Sequence, residues 1–185
     1  PIIDSFKNSN IIDFILENSE ATAIELKNAA RKDSRFLAEA NMWWRISQYE
    51  YPNHDQWKVL SEIILVNWIN KILFANILTA FQKDAKQVHE INHETTIIEA
   101  IDIFQKISST CDFWNIFQPQ LGEKYILVDS WHELIELNSF LRDIELASIS
   151  QDLMKNLLEN IIYTAKRKVA GQYTTPMFLA RLLVH

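Results

Sequence analysis

Two glycines and four prolines in 185 residues leave this chain few places to turn. Average usage would be about 7% glycine and 5% proline. Glycine admits positive φ, and proline locks the backbone and removes a donor, so these residues punctuate tight turns. A fold of many short strands needs many such turns. Their scarcity favours long helices, and the expectation is an all-α, multi-helix bundle. The length suits one domain with a sizeable core, about two-thirds of the unfolded surface being buried. An apolar fraction of 48%, with 11% aromatics, argues against disorder.

Helical spacing supports this. Ile11, Phe14 and Ile15 share one face. From Thr22 to about Tyr49 apolar residues recur near helical spacing, with a break expected at Asp33-Ser34, where either residue can cap a new helix. "YPNHDQW" reads as a connection, with Asn53 or Asp55 capping the helix after it. The longest pattern runs from Asp55 to Val88, with Trp57, Leu60, Ile64, Trp68, Ile72, Phe74, Ile77 and Phe81 near i+3 and i+4. It is apolar on more than one side, as a central buried helix would be. A further helix follows Thr95. Between Ser109 and Asp129 the pattern lapses around Pro119 and Gly122, leaving room for one small hairpin near 120–129. Ser130 with Glu133 reads as a capping box opening the next helix. A last amphipathic pattern spans about Ser148 to Ala165, closing a helical domain expected over residues 1–165.

The net charge is −6, so the chain repels phosphate at long range. The single Cys111 excludes an internal disulfide and fits a reducing, cytoplasmic setting. No charge-free run of about 18 apolar residues appears, so no membrane span is expected. The start is neither basic nor followed by a long apolar stretch, unlike a secretory signal. The first residue is Pro1 rather than Met, as in a processed chain or a segment of a longer one.

His89-Glu90-Ile91-Asn92-His93 is a literal H-E-x-x-H. On a continuous helix the two imidazoles would share a face and hold zinc, with the glutamate activating water. Here the motif falls where the long helix is expected to end, and Glu99, Asp102 or Asp112 would have to supply a third ligand. The bland reading is a chance occurrence. Most of the six tryptophans sit on apolar faces and read as core. Trp43-Trp44 is the exception, since adjacent helical residues diverge by about 100° and one of them is left to face a partner. Glu17, Glu20 and Glu25 with Lys27, Arg31 and Lys32 look like a solvated face. Cys111 has no convincing histidine partner for nucleophilic chemistry.

The chain closes on "RKVAGQYTTPMFLARLLVH". Lys166, Arg167 and Lys168 place positive charge at a helix C-terminus and form a candidate DNA contact. Gly171 permits close backbone approach to a ligand. Thr175 caps a helix whose first position is Pro176, where a missing N–H costs nothing. Backbone N–H groups there suit a carboxylate or phosphate. An ordinary helix–loop–helix link fits the same residues equally well.

From Arg167 to Val184 the segment resembles the R-K-x-x-G-Q-[FY]-[FY]-T-P-x-x-[LIV]-[AV]-x-x-[LIM]-[LV] signature of the N6-adenine DNA methyltransferases of restriction–modification systems. "NWINKILFANIL" and "LMKNLLENII" are similar to helices that precede that turn in the family. Outside the closing segment the likeness is one of helical character and order. The resemblance implies that Gln172, Tyr173, Thr175 and Pro176 border an S-adenosylmethionine pocket, near the methionine end of the cofactor. Thr174 stands where the family usually carries a second aromatic. It also implies that residues 166–185 are the linker and first helix of a methyltransferase domain. The family's glycine-rich cofactor loop and its [DN]-P-P-[YF] tetrapeptide, which holds the flipped adenine, do not occur in this sequence. The expectation is therefore a non-catalytic helical front portion of a larger enzyme, with DNA and a downstream methyltransferase domain as partners. A helical protein-interaction module and, behind it, a zinc peptidase are the alternatives.

Overall fold

The computed structural model describes residues 8–143. Among them six α-helices follow one another: α1 (Asn8–Lys32), α2 (Ser34–Ser47), α3 (Gln56–Leu78), α4 (Ile97–Cys111), α5 (Trp114–Phe117) and α6 (Val128–Asp143). Two 3₁₀ turns, Lys83–Glu90 and Glu123–Tyr125, link them. There is no strand among the described residues, in keeping with the all-α bundle expected from the scarcity of turn residues. The helix expected over 148–165, the domain boundary at 165 and the closing turn lie outside the described residues.

α3 is the axis of the bundle, packed against α1, α6, α5 and the first 3₁₀ turn. Leu60, Ile64, Leu65, Trp68, Ile69, Ile72, Leu73 and Ala75 are all buried, and no residue of the helix on any side is exposed. A helix apolar on all sides must be enclosed. Its length and composition alone would also suit a membrane span, but 61% of its most apolar window is buried inside the bundle. Burying each large aliphatic side chain stabilises by about 1.5–3 kcal/mol. Aromatic contacts extend the core outward. Trp68 meets Trp131 of α6 with ring centroids 5.1 Å apart and Phe104 of α4 at 5.9 Å. Phe104 in turn stacks on Phe117 of α5, nearly parallel, at 5.8 Å. Each such pair adds about 0.5–1.5 kcal/mol beyond burial.

The helix starts follow the capping rules. Asp33 separates α1 from α2 and accepts from Arg35 N and Phe36 N, both at 3.0 Å. Asp55, not Asn53, caps α3, accepting from Trp57 N and Lys58 N. Asn53 instead takes a left-handed conformation with φ 67°, which its short polar side chain tolerates. Thr96 and Glu99 form a full capping box at α4.

Three expectations need correction. The long helix ends at Leu78 rather than Val88, and the chain then winds into the 3₁₀ turn. Ala85 and Val88, three apart, are buried by that tighter turn just as they would be by an α-helix. The room left for a hairpin near 120–129 is filled by helix and turn. Gly122 adopts φ 77°, Glu123–Tyr125 form the second 3₁₀ turn, and Val128 already begins α6. What holds this stretch is not a ladder of strands but the pull of the core on single groups: the indole N–H of Trp68 donates to the Glu123 carbonyl at 3.2 Å. Finally, Ser130 and Glu133 do not cap α6, because the helix begins two residues earlier. Both reach across to Asn18 of α1 instead. The Ser130 hydroxyl donates to Asn18 Oδ1 at 2.6 Å, and Asn18 Nδ2 donates to Glu133 Oε1 at 3.3 Å.

Gly122 sits where three elements converge. A Cβ added there would lie 3.0 Å from Leu26 Cδ2, 3.1 Å from Ile64 Cδ1 and 3.2 Å from Phe36 Cε2. Positive φ and close approach thus both select glycine at this position.

Candidate functional site

The H-E-x-x-H residues do not share a helix face. His89 and Glu90 finish the first 3₁₀ turn, and Ile91 leaves it in an extended conformation, φ −67° and ψ 119°. Asn92 then organises a polar turn, its Oδ1 accepting from Glu94 N at 2.8 Å. His93 therefore does not lie one α-turn above His89, as zinc ligation by this motif requires. Its Nε2 approaches Glu136 Oε1 of α6 at 2.9 Å, and its ring lies 6.0 Å from that of His132. Burial, then the charges of Arg142 and Lys86, hold the His89 pKa below the usual histidine value. Of the suggested third ligands, Glu99 is tied into the α4 capping box and Asp112 closes α4 in a left-handed conformation. Among the described residues no group of three or more His, Cys, Asp or Glu side chains comes together as a metal ion requires.

The tryptophans divide only in part as their spacing suggests: the exposed one is Trp114, 57% exposed at the start of α5, not a member of the Trp43-Trp44 pair. Trp68 and Trp131 are buried, each with its indole N–H satisfied, the latter by the Thr95 carbonyl at 2.8 Å. Trp57 packs against Phe36 at 6.2 Å. Trp43 and Trp44 touch each other at 5.8 Å, and both are half-buried, so neither is fully given to a partner. Cys111 is buried in the core at the end of α4, its sulfur 3.8 Å from the Thr110 hydroxyl. A buried thiol so placed is structural in character.

Two arrangements could not be anticipated from spacing. The first is an ion pair in the middle of the bundle. Lys71 of α3 donates to Glu123 Oε2, and both side chains are almost entirely buried. Burial pushes the Lys71 pKa down and the Glu123 pKa up, while each partner opposes the other's shift. The ammonium also lies 5.5 Å from the Trp68 ring centroid. Glu123 Oε1 has no hydrogen-bond partner. Desolvation of two charges makes such a pair costly, and with one carboxylate oxygen unpaired its net contribution to stability is small.

The second is the corner where α1 passes into α2. Tyr125, 92 residues away, donates its hydroxyl to Asp33 Oδ2 at 3.0 Å. The Phe36 N–H, then the Tyr125 hydroxyl, hold the Asp33 carboxyl below its ordinary pKa, with Arg35 N–H and the charge of Lys124 adding to the effect. The Tyr125 ring packs on Phe36 at 4.8 Å, and Lys124 Nζ lies 4.8 Å from the Tyr125 centroid. A residue 91 positions after Asp33 thereby brings its cation to the corner between the first two helices. No local pattern encodes that placement, because it depends on the Glu123–Tyr125 turn docking under the corner.

The candidate cofactor residues Gln172, Tyr173, Thr175 and Pro176, and the candidate DNA contacts Lys166, Arg167 and Lys168, lie outside the described residues. A scan against protein-family models finds no match, and comparisons with curated proteins and with solved structures find no similar protein.

Proposed function

We propose that this chain is the N-terminal helical portion of an S-adenosylmethionine-dependent DNA adenine-N6 methyltransferase of a restriction–modification system. The observation that carries the reading is the segment from Arg167 to Val184, whose glycine, aromatic, Thr-Pro and apolar positions resemble the family's signature in order and spacing. The all-α bundle is consistent with the helical region that precedes this turn in such enzymes. On this reading the bundle does no chemistry. It positions DNA or braces the catalytic domain, in the cytoplasm, and the cofactor supplies the methyl group. Gln172, Tyr173, Thr175 and Pro176 would form one wall of the cofactor pocket, and Lys166, Arg167 and Lys168 would contact DNA.

The test has two parts. Calorimetric titration of the 185-residue chain with S-adenosylmethionine is expected to show weak binding or none, because one wall does not make a pocket. Micromolar affinity would contradict that. The reading frame downstream of His185 is expected to encode a glycine-rich loop and then [DN]-P-P-[YF]. A frame that continues without them would remove the methyltransferase reading.

A second reading, a protein-interaction module, is favoured by one observation. Met42, Ile46 and Tyr49 stand 67%, 75% and 83% exposed along α2 and the turn that ends it, at i, i+4 and i+7. An exposed apolar stripe of that spacing is how a helix meets another helix.

A further inference from the structure

We infer that the corner between α1 and α2 is a docking surface for the phosphate backbone of duplex DNA. This rests on the reading above and assigns that partner to one face of the bundle. Lys27, Arg31 and Lys32 are exposed on the last turns of α1, and Arg35 is exposed at the start of α2. The second 3₁₀ turn brings a fifth cation, Lys124, to the same corner through the contacts of Tyr125 with Asp33 and Phe36. Five cations gather here on a chain of net charge −6.

The carboxylates among them are already engaged. Asp33 accepts three hydrogen bonds, from Arg35 N, Phe36 N and the Tyr125 hydroxyl. Glu39 pairs with Arg35 at 3.0 Å, leaving Arg35 itself strongly exposed. Lys27 and Arg31 stand at i and i+4, where like charges repel in the free protein. An incoming polyanion relieves that repulsion.

The chemistry of the surroundings favours phosphate over an acidic protein. A protein interface needs an apolar, desolvated centre, whereas phosphate contacts need charge and N–H donors alone. The exposed apolar stripe of α2 lies at its far end, from Met42 to Tyr49; beside the corner the exposed large apolar residues are single ones, Leu37 on α2 and Ile24 one turn before Lys27 on α1. The first turn of α2 also directs the positive end of its dipole here.

The test uses the whole chain and a short labelled DNA duplex of mixed sequence, followed by fluorescence anisotropy over a range of salt. Four proteins are compared: the native chain, Arg31→Gln/Lys32→Gln/Lys124→Gln, Lys166→Gln/Arg167→Gln/Lys168→Gln, and a control with equal charge removed from exposed sites elsewhere, Lys83→Gln/Lys86→Gln/Lys106→Gln. Each phosphate contact contributes about 0.9 to the slope of log K against log salt, so the corner variant is expected to lose a slope of about 2.7. The control is expected to keep most of the native slope. Equal losses in the corner variant and the control, or no salt-dependent binding by the native chain, would overturn the inference. Binding lost with Lys166→Gln/Arg167→Gln/Lys168→Gln but retained in the corner variant would also overturn it, while leaving the methyltransferase reading in place. Retention of polyglutamate as tight as that of DNA at matched ionic strength would overturn it in favour of an acidic protein. Should the corner variant melt early, the charge-retaining Arg31→Lys/Lys32→Arg/Lys124→Arg takes its place and is expected to bind as the native chain does.

Discussion

Single residues in this bundle hold positions that their neighbours in sequence do not explain. Lys71 lies in the most apolar of the described helices, and the carboxylate that answers its charge, Glu123, comes 52 positions later. Removing one partner leaves the other charged and buried, so Lys71→Met is expected to cost about 3–5 kcal/mol in urea unfolding. Lys71→Met/Glu123→Leu is expected to recover most of that, because well-packed apolar replacements often match a buried pair. A double variant no more stable than the single one would show that Glu123 serves some further purpose there. Asp33 makes a prediction in pH. Its carboxyl is held below the ordinary value of 3.8, so the stability it contributes is present above that value and is lost as pH falls through the depressed folded one. Asp33→Asn keeps a capping side chain but loses the titration. Acid titration followed by circular dichroism is expected to show a shallower loss of stability below about pH 4 in the variant. A loss as steep as in the native chain would locate the acid sensitivity elsewhere.

Helices and turns show which parts of the fold could be read in advance. The break at Asp33, the cap at Asp55 and the enclosed character of α3 were legible, because each depends on residues within a turn or two. The end of α3 was not. Ile77, Leu78 and Phe81 continue the apolar spacing, yet Phe81 is 80% exposed and off the helix. What replaces the helix is a 3₁₀ turn held by tertiary bonds: Asn138 of α6 donates to the Val88 carbonyl at 2.9 Å and the Ile91 carbonyl at 3.4 Å, and accepts from Asn76 Nδ2 of α3 at 2.8 Å. The Ser130–Glu133 spacing likewise suits a cap and the interior of a helix equally, and only the position of Asn18 decides. As for the candidate sites, the H-E-x-x-H pattern was visible but its helix was not there; Lys27, Arg31 and Lys32 were visible but read as a solvated face, and Lys124 joins their corner only through the fold. Asn138→Ala is expected to strip the Lys83–Glu90 turn of its anchor. Hydrogen exchange of amides in that turn should accelerate by about tenfold or more, corresponding to a hydrogen bond of about 1–2 kcal/mol, while amides in the middle of α4 stay protected. Uniform acceleration across both would mean that Asn138 supports the whole bundle rather than this turn.

The molecule as a whole joins a neutral, enclosed axis to a surface on which charge is unevenly spread. α3 has the make-up of a lipid-facing segment, yet its partners are protein: α1 along one flank, α6 and the first turn along another. The acidic balance of the chain and its basic corner are compatible, since long-range repulsion and short-range contact act over different distances once salt screens the former. On the proposed reading, the exposed stripe of α2 is one surface through which a catalytic domain would be braced.

The bond from Ser130 to Asn18 spans 112 positions of chain and joins the opening helix to the last one described. A nascent polypeptide leaving the ribosome cannot make it until α6 has emerged. Until then α1 can pack on α2 and α3, while Asn18 still lacks the partners that α6 brings. The polar bond is thus a late rivet, set on a seam that α1 and α3 can already close.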